Sequence, residues 1–335
     1  MAKRRKSKQT NIEPSEMTLV FSTQSVGSGQ TLDSYIDLSQ AASIINRRFY
    51  RQGLNWAVAG FKFLTLGEAR ASITISKLPN SWVMSNSWEK GFRTWSEMND
   101  RALEDVESVK GRFLDFKIYA DSGHHQAGFA QNLLPANGGG VAIPGEWIPS
   151  EIRVPQTNGG SLPYEILATG GNYPGPGSSG IDAVSLIQGY ANSRALPNIT
   201  DPNNPLLVVD SVGTTPENWM SSLHNEGTSQ DAFVVADVVE YDLPPYPFEN
   251  DGSVITTHYP GGATQMAGLM PHDFANITAS TIGGNTYLKG GNFPCGLIKI
   301  THTVENESIS HNVAIIVDLV PGPHRGYMTE PMTEM

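Results

Sequence analysis

Glycine and proline punctuate this chain so often that no long helix can run far without meeting one. There are 34 Gly and 22 Pro among 335 residues, about 17% against a usual share of about 12%. The density peaks between residues 131 and 180, where 11 Gly and 7 Pro fall. In a helix interior these residues cost about 1 and 3 kcal/mol each relative to Ala, whereas turns favour both. A long bundle or coiled coil is excluded on that ground, and by the shortage of Lys and Glu. Charged residues make up 16% and hydrophobic residues 39% of the chain, which excludes intrinsic disorder. An ordered, turn-rich, mainly β chain remains, long enough to bury a large core without staples.

Hydrophobic periodicity assigns the segments. Met17 to Thr23 alternates with a period of two and reads as a strand. Leu38 to Asn46 reads as a short helix, capped by Asp37 or Ser39, with Leu38, Ala41, Ala42 and Ile45 on one face. Leu54 to Leu66 and Ala69 to Leu78 read as strands, and Gly67-Glu68 between them predicts a hairpin. The clearest helix spans about Asn86 to Glu107, capped by Asn86 or Ser87. Its stripe of Trp88, Phe92, Trp95, Ala102, Leu103 and Val106 suits core packing better than a ligand-binding box. Phe113 to Ala120 alternates as a strand ending in Asp121-Ser122-Gly123-His124-His125. Short strands are expected at Glu151 to Pro155, Tyr164 to Ala168, Leu206 to Asp210 and Ala232 to Tyr241, with a helix from Ile181 to Arg194. Gly296 to Val304 and Asn312 to Val320 read as an antiparallel pair. No internal repeat appears. The sum is roughly a dozen strands and three or four short helices, an antiparallel sandwich or jelly roll with long loops around 121–205 and 212–290.

Charge divides the chain unequally. The formal net charge is −11, yet Lys3, Arg4, Arg5, Lys6 and Lys8 place five positive charges in the first eight residues. Without them 17 basic residues face 33 acidic ones, about −16 for the body. Residues 1–16 read as a basic, flexible arm that can neutralise phosphates, or as a solubilising tail or nuclear-import run. Nothing in the segment resembles a signal peptide, and no run is apolar enough to span a membrane. A second basic group, Arg47, Arg48 and Arg51, encloses Phe49 and Tyr50. It can bind nucleic acid by stacking and phosphate contact, or bury its aromatic residues while the arginines pair with acids.

Catalytic signatures are missing. There is no P-loop, no dinucleotide fingerprint opening a helix, no nucleophile elbow and no zinc-protease motif. Cys295, alone in the chain, makes no internal disulfide and carries no protease signature. His124 and His125, with Asp121, are the best metal candidates, but neighbouring residues on a strand face opposite ways, so a polar loop is the better reading. Asp100, Glu104 and Glu107 read as a solvated helix face rather than a glycosidase pair, and Asn250-Asp251-Gly252 as a turn rather than a calcium loop. His302 and His311 face each other if the last two strands pair. No enzyme activity, cofactor or metal is expected.

The runs Met1 to Lys6 (MAKRRK), Tyr35 to Gly53 (YIDLSQAASIINRRFYRQG), Leu78 to Trp95 (LPNSWVMSNSWEKGFRTW) and Phe113 to His125 (FLDFKIYADSGHH) resemble the major capsid proteins of small icosahedral single-stranded DNA viruses with circular genomes. The resemblance covers about the first 125 residues. It implies a single jelly roll of two four-stranded sheets spanning 17–335, with helical insertions in long loops. It also implies self-assembly of many copies into a shell and an arm, Lys3 to Lys8, turned toward the packaged DNA. The protein would then reside in the virion after synthesis in the host cytoplasm or nucleus, and meet a host surface receptor. Circovirus-like arms are longer and richer in arginine, which keeps a second reading open: a double-jelly-roll capsid protein of a phage with an internal membrane. A glycan-binding β-sandwich using Trp82, Trp147 or Trp219, and a glycoside-processing β enzyme with paired carboxylates, are the readings from other classes.

Overall fold

Strands that bury one face in a common core alternate inside and outside along their length, and here that alternation builds two sheets. The computed structural model describes residues 15–65, 70–103, 115–137, 140–155, 161–194, 268–278, 284–305 and 310–335. Apart from two two-residue ladders, Ala136–Asn137 with Gly140–Val141 and Pro321–Gly322 with Gly326–Tyr327, the strands in chain order are β1 (Thr18–Ser22), β2 (Thr31–Asp37), β3 (Leu54–Thr65), β4 (Ala71–Lys77), β5 (Glu151–Pro155), β6 (Ser161–Leu167), β7 (Ala183–Ser185), β8 (Met270–Ile277), β9 (Asn285–Phe293), β10 (Leu297–Val304), β11 (Val313–Leu319) and β12 (Thr329–Pro331). The helices are α1 (Leu38–Asn46), α2 (Trp82–Ala102), α3 (Ser122–Ala127) and α4 (Leu186–Arg194).

One antiparallel sheet has the order β1-β11-β3-β9, with β12 also on β3, and the other has the order β8-β4-β10-β2. Val313, Ile315, Val317 and Leu319 point inward from β11, and Ala71, Ile73 and Ile75 from β4. They meet Phe21, Ile36, Phe61, Phe63, Phe293, Ile298 and Ile300 in a shared apolar core. Each such large side chain contributes about 1.5–3 kcal/mol by leaving water. In β3 the inward set switches from Trp56 and Val58 to Phe61 and Phe63. A bulge at Ala59 against β11 accompanies the switch: the consecutive Asp318 and Leu319 face Gly60 and Val58, whereas the register with β9 is unbroken, Lys289 facing Gly60 and Gly291 facing Val58. A Cβ on Gly290 would lie 2.1 Å from the Val58 carbonyl oxygen, so the facing strand needs glycine there.

Pairing is mirrored along the chain. β1 pairs with β11, β2 with β10, β3 with β9 and β4 with β8. Both expected hairpins are therefore absent. β3 and β4 lie in different sheets, as do β10 and β11. Both ladder edges of each are already occupied: β3 by β11 and β9, β4 by β8 and β10, β10 by β4 and β2, β11 by β1 and β3. A short polar connection joins facing sheets as readily as it joins neighbouring strands.

A smaller layer lies against this body. β5, β6 and β7 form a sheet, antiparallel then parallel, and share a second core with α2 and α4. Residues 121–194, read as long connections, thus build a structured flank, and 270–293 supplies two strands of the main sheets. The helix expected at Asn86 begins at Trp82 with Ser81 as cap residue. Val83, Met84, Trp88 and Trp95 are buried, Phe92 is half-buried and Ala102 is exposed. Arg101 pairs with Glu97 at 2.6 Å and Arg93 with Glu89 on the solvent side. The helix expected from Ile181 starts at Leu186, because Ala183–Ser185 joins β6 as a strand. The strand expected at Phe113 to Ala120 does not form among the described residues. Gln52 instead bonds both backbone groups of Ile118, at 2.7 and 3.1 Å, and Ser150 Oγ accepts from the Lys117 N–H at 2.9 Å. The strands expected at 206–210 and 232–241 lie outside the described residues.

Candidate nucleic-acid interface

The chain enters its described part on a cluster of arginines. Ser15 Oγ donates to the Arg325 carbonyl at 2.8 Å, and Arg48 Nη1 donates to Ser15 Oγ at 3.3 Å. The Glu16 N–H donates to Asn46 Oδ1 at 3.0 Å, while the Tyr327 hydroxyl donates to the Glu16 carbonyl at 2.6 Å. Lys3, Arg4, Arg5, Lys6 and Lys8 lie outside the described residues.

α1 sets the direction of the second basic group. Asp37 caps it, Oδ1 accepting from Ser39 and Gln40 N–H at 2.9 and 3.2 Å. Arg47, at φ 54° and ψ 35°, ends it in the left-handed region, at a cost of about 1–2 kcal/mol for a residue with a Cβ. The chain then turns and separates the neighbours. Tyr50 is fully buried beside Trp56 and Tyr327, and its hydroxyl donates to the Arg325 carbonyl at 3.0 Å. Phe49 stays half-buried, with its ring 6.3 Å from that of Trp147. Arg47 and Arg51 are exposed. Of the burial reading, Tyr50 joins the core as expected, whereas Arg51 faces solvent with no ion pair among the described residues.

Arg51 and Phe49 stand at a cavity of about 520 Å³ between the start of β3 and α2. Trp88 and Phe116 form its buried aromatic lining, Phe92 and Leu54 are half-buried, and Arg325 and Arg51 are its exposed cations. Trp88 and Phe92 stack at 5.2 Å and 9°, and Phe116 meets both edge-on. Gly53 permits this packing, since a Cβ there would come within 2.4 Å of the Trp88 ring. The aromatic stripe of α2 thus serves the core through Trp88 and Trp95, while Phe92 also reaches the cavity. Among the described lining residues Asp115 is the one carboxylate, and it lies 3.3 Å from Lys117 Nζ. Burial pushes its carboxyl up, against the pull of Lys117 and Arg51. The Lys117 ammonium also sits over the Trp147 and Phe49 rings, at 4.8 and 5.8 Å. Burial and the neighbouring Arg325 hold His324 below the usual imidazole range. Asp115 and Lys117 offset each other, and the charge left over is that of the two arginines. No spacing in the sequence tied residue 325 to residue 51; the single local hint is a cation set between Pro323 and Gly326 in a turn.

The histidine pair of the sequence has internal partners. Asp121 caps the short helix α3 by accepting from the His124 N–H, where a polar loop was expected. His124 Nδ1 accepts from the Ala120 N–H at 3.1 Å, which leaves Nε2 to donate to Asn132 Oδ1 at 2.8 Å. Burial lowers its pKa to about 4. His125 Nε2 lies 2.8 Å from Glu165 Oε2, both side chains fully enclosed. Among the described residues no group of three or more His, Cys, Asp or Glu is placed to hold a metal. His302 of β10 and His311, which precedes β11 and bridges to Val26, do meet, Nε2 to Nδ1 at 3.1 Å, although β10 and β11 form no hairpin. Asp100 is exposed, Trp82 and Trp147 are half-buried, and Glu104, Glu107, Trp219 and residues 250–252 lie outside the described residues. Set against known protein families, characterised proteins and solved structures, the chain matches none of them.

Proposed function

We propose that this chain is the shell-forming subunit of a small icosahedral particle that encloses single-stranded DNA, and that its eight main strands are a single jelly roll. The observation that carries this reading is the mirrored pairing. First strand with last, second with seventh, third with sixth and fourth with fifth is the pattern of one long antiparallel ribbon rolled into two sheets, a wrap found in capsid and lectin domains. One such pair of sheets among the described residues, each holding four of the eight main strands, favours the single barrel over the double one.

Surface chemistry supports assembly. Val141, Ile143, Ile148, Phe274 and Tyr287 are 64–83% exposed, apolar area that a neighbouring copy would cover. The subunit needs no catalytic group in this role, and the one carboxylate among the described residues lining the cavity is tied to Lys117. Lys3, Arg4, Arg5, Lys6 and Lys8 are the proposed phosphate contacts, with Arg47, Arg48 and Arg51 as a second basic patch. A residue-8 cation is seven peptide units from Ser15, a reach of at most about 25 Å from the Arg48–Arg325 cluster.

Expression followed by electron microscopy and sedimentation tests the reading. Closed particles containing nucleic acid are expected, and removal of residues 1–14 lowers the nucleic-acid content. A chain that stays monomeric across salt and pH overturns the proposal.

A further inference from the structure

We infer that the cavity beside Phe49, Arg51 and Arg325 binds one unpaired nucleotide of single-stranded DNA, the base against the aromatic lining and the phosphate on the two guanidinium groups. Its volume of about 520 Å³ lies within the span of small-ligand sites, about 300–1,000 Å³. Phe49 and Phe92 are half-buried residues lining the cavity, and a flat base gains by stacking on aromatic side chains whatever its identity.

The cations suit an anion rather than an acidic side chain of this protein. Arg51 makes no side-chain hydrogen bond or ion pair among the described residues. Arg325 donates from Nη1 to the Phe49 carbonyl, which fixes the guanidinium near that ring and leaves its other donors for a ligand. Two arginines without an ion pair among the described residues, at the mouth of an aromatic cavity and on a body of about −16, are the chemistry of a ring joined to a phosphate. The hydrogen bond from Ser15 to the Arg325 carbonyl sets the start of the basic arm beside the same cavity, so a strand drawn in by the arm arrives there. A duplex keeps its bases stacked inside and has nothing to insert.

This site rests on the proposed enclosure of single-stranded DNA only for the source of its ligand; binding is measurable whether or not shells form. The test is fluorescence anisotropy of the full-length chain with labelled (dT)10 and with an abasic backbone of equal length. Wild type is expected to bind (dT)10 at least tenfold more tightly than the abasic strand or a (dT)10·(dA)10 duplex. Phe49→Ala removes that preference, and Arg51→Glu weakens (dT)10 about tenfold and lowers the salt slope by about one. Removal of residues 1–14 weakens both strands but leaves the preference for bases. The proposal is overturned by equal affinity for (dT)10 and the abasic strand. Displacement of (dT)10 by a poly-Glu peptide at equal concentration overturns it too. Arg51 is exposed and tests the idea even where Phe49→Ala fails to fold: a folded Arg51→Glu protein with wild-type affinity and salt slope also overturns it. Absence of particles in the microscope, with the base preference intact, counts against the shell and not against this site.

Discussion

The two-sheet body and the flank beside it are held by different forces. In the body, central strands have both ladder edges paired and one face in a shared apolar core. In the flank and at its seam with the body, side chains do much of what ladders do elsewhere. Gln52 serves Ile118, Asp37 accepts from Gln52 at 3.1 Å and from Trp147 at 3.0 Å, and Asn172 accepts from the Ser185 N–H at 2.7 Å. Apolar burial scales with area and tolerates sliding, whereas such hydrogen bonds are directional and expensive to leave unmade. The body should therefore lose stability by volume removed and the seam by single polar atoms lost.

Substitution at the centre of the body has the largest expected effect. Phe63→Ala removes a fully buried ring from between the sheets and should cost about 3–5 kcal/mol, read as a lower midpoint of global unfolding. A cost under 1 kcal/mol would mean the body is not the more tightly packed region. Gln52→Ala comes next. It orphans the Ile118 N–H and C=O, at about 1–3 kcal/mol for each buried group left unpaired, and removes one of the donors to Asp37. Hydrogen exchange should rise around residues 115–118 more than in β11. Uniform acceleration through both regions would erase the distinction.

Acid gives the smallest net change, because the two regions respond with opposite sign. Burial raises Asp37 from 3.8 to about 6 despite its four hydrogen-bond donors, so the folded state holds that proton more tightly than the unfolded chain. Its contribution is greatest below about pH 4 and is lost as pH rises through about 6. His302 is lowered from 6.5 to about 4 by burial and by His311. Its contribution is present above 6.5 and is lost as pH falls through about 4. Denaturant midpoints between pH 7 and 4 should show wild type falling relative to His302→Gln/His311→Gln, and rising relative to Asp37→Asn. Parallel curves for all three proteins would remove the contrast.

The same division explains what was legible in the sequence. Leu38–Asn46 with its Asp37 cap and Glu151–Pro155 stand where periodicity and capping predict them, since both signals are local. The strands at 54–65, 71–77, 297–304 and 313–319 were visible from alternation, but their sheets were not. Which edge of β3 meets which strand depends on residues more than 200 positions away, such as Gly60 opposite Asp318. At the candidate site, Arg51 and Phe49 were readable as a basic and aromatic group. Arg325 was not, because only the fold brings it to them.

The pairing of Thr18 with Asp318 also sets a schedule. A hydrogen bond of 2.8 Å joins side chains 300 residues apart, so among the described strands β1 has no ladder partner until β11 has been made. At about 5–20 residues per second, a ribosome takes about 15–60 s to cover that interval. Until then the Leu19 and Phe21 side chains have only part of their core, and closing so long a loop slows the final step.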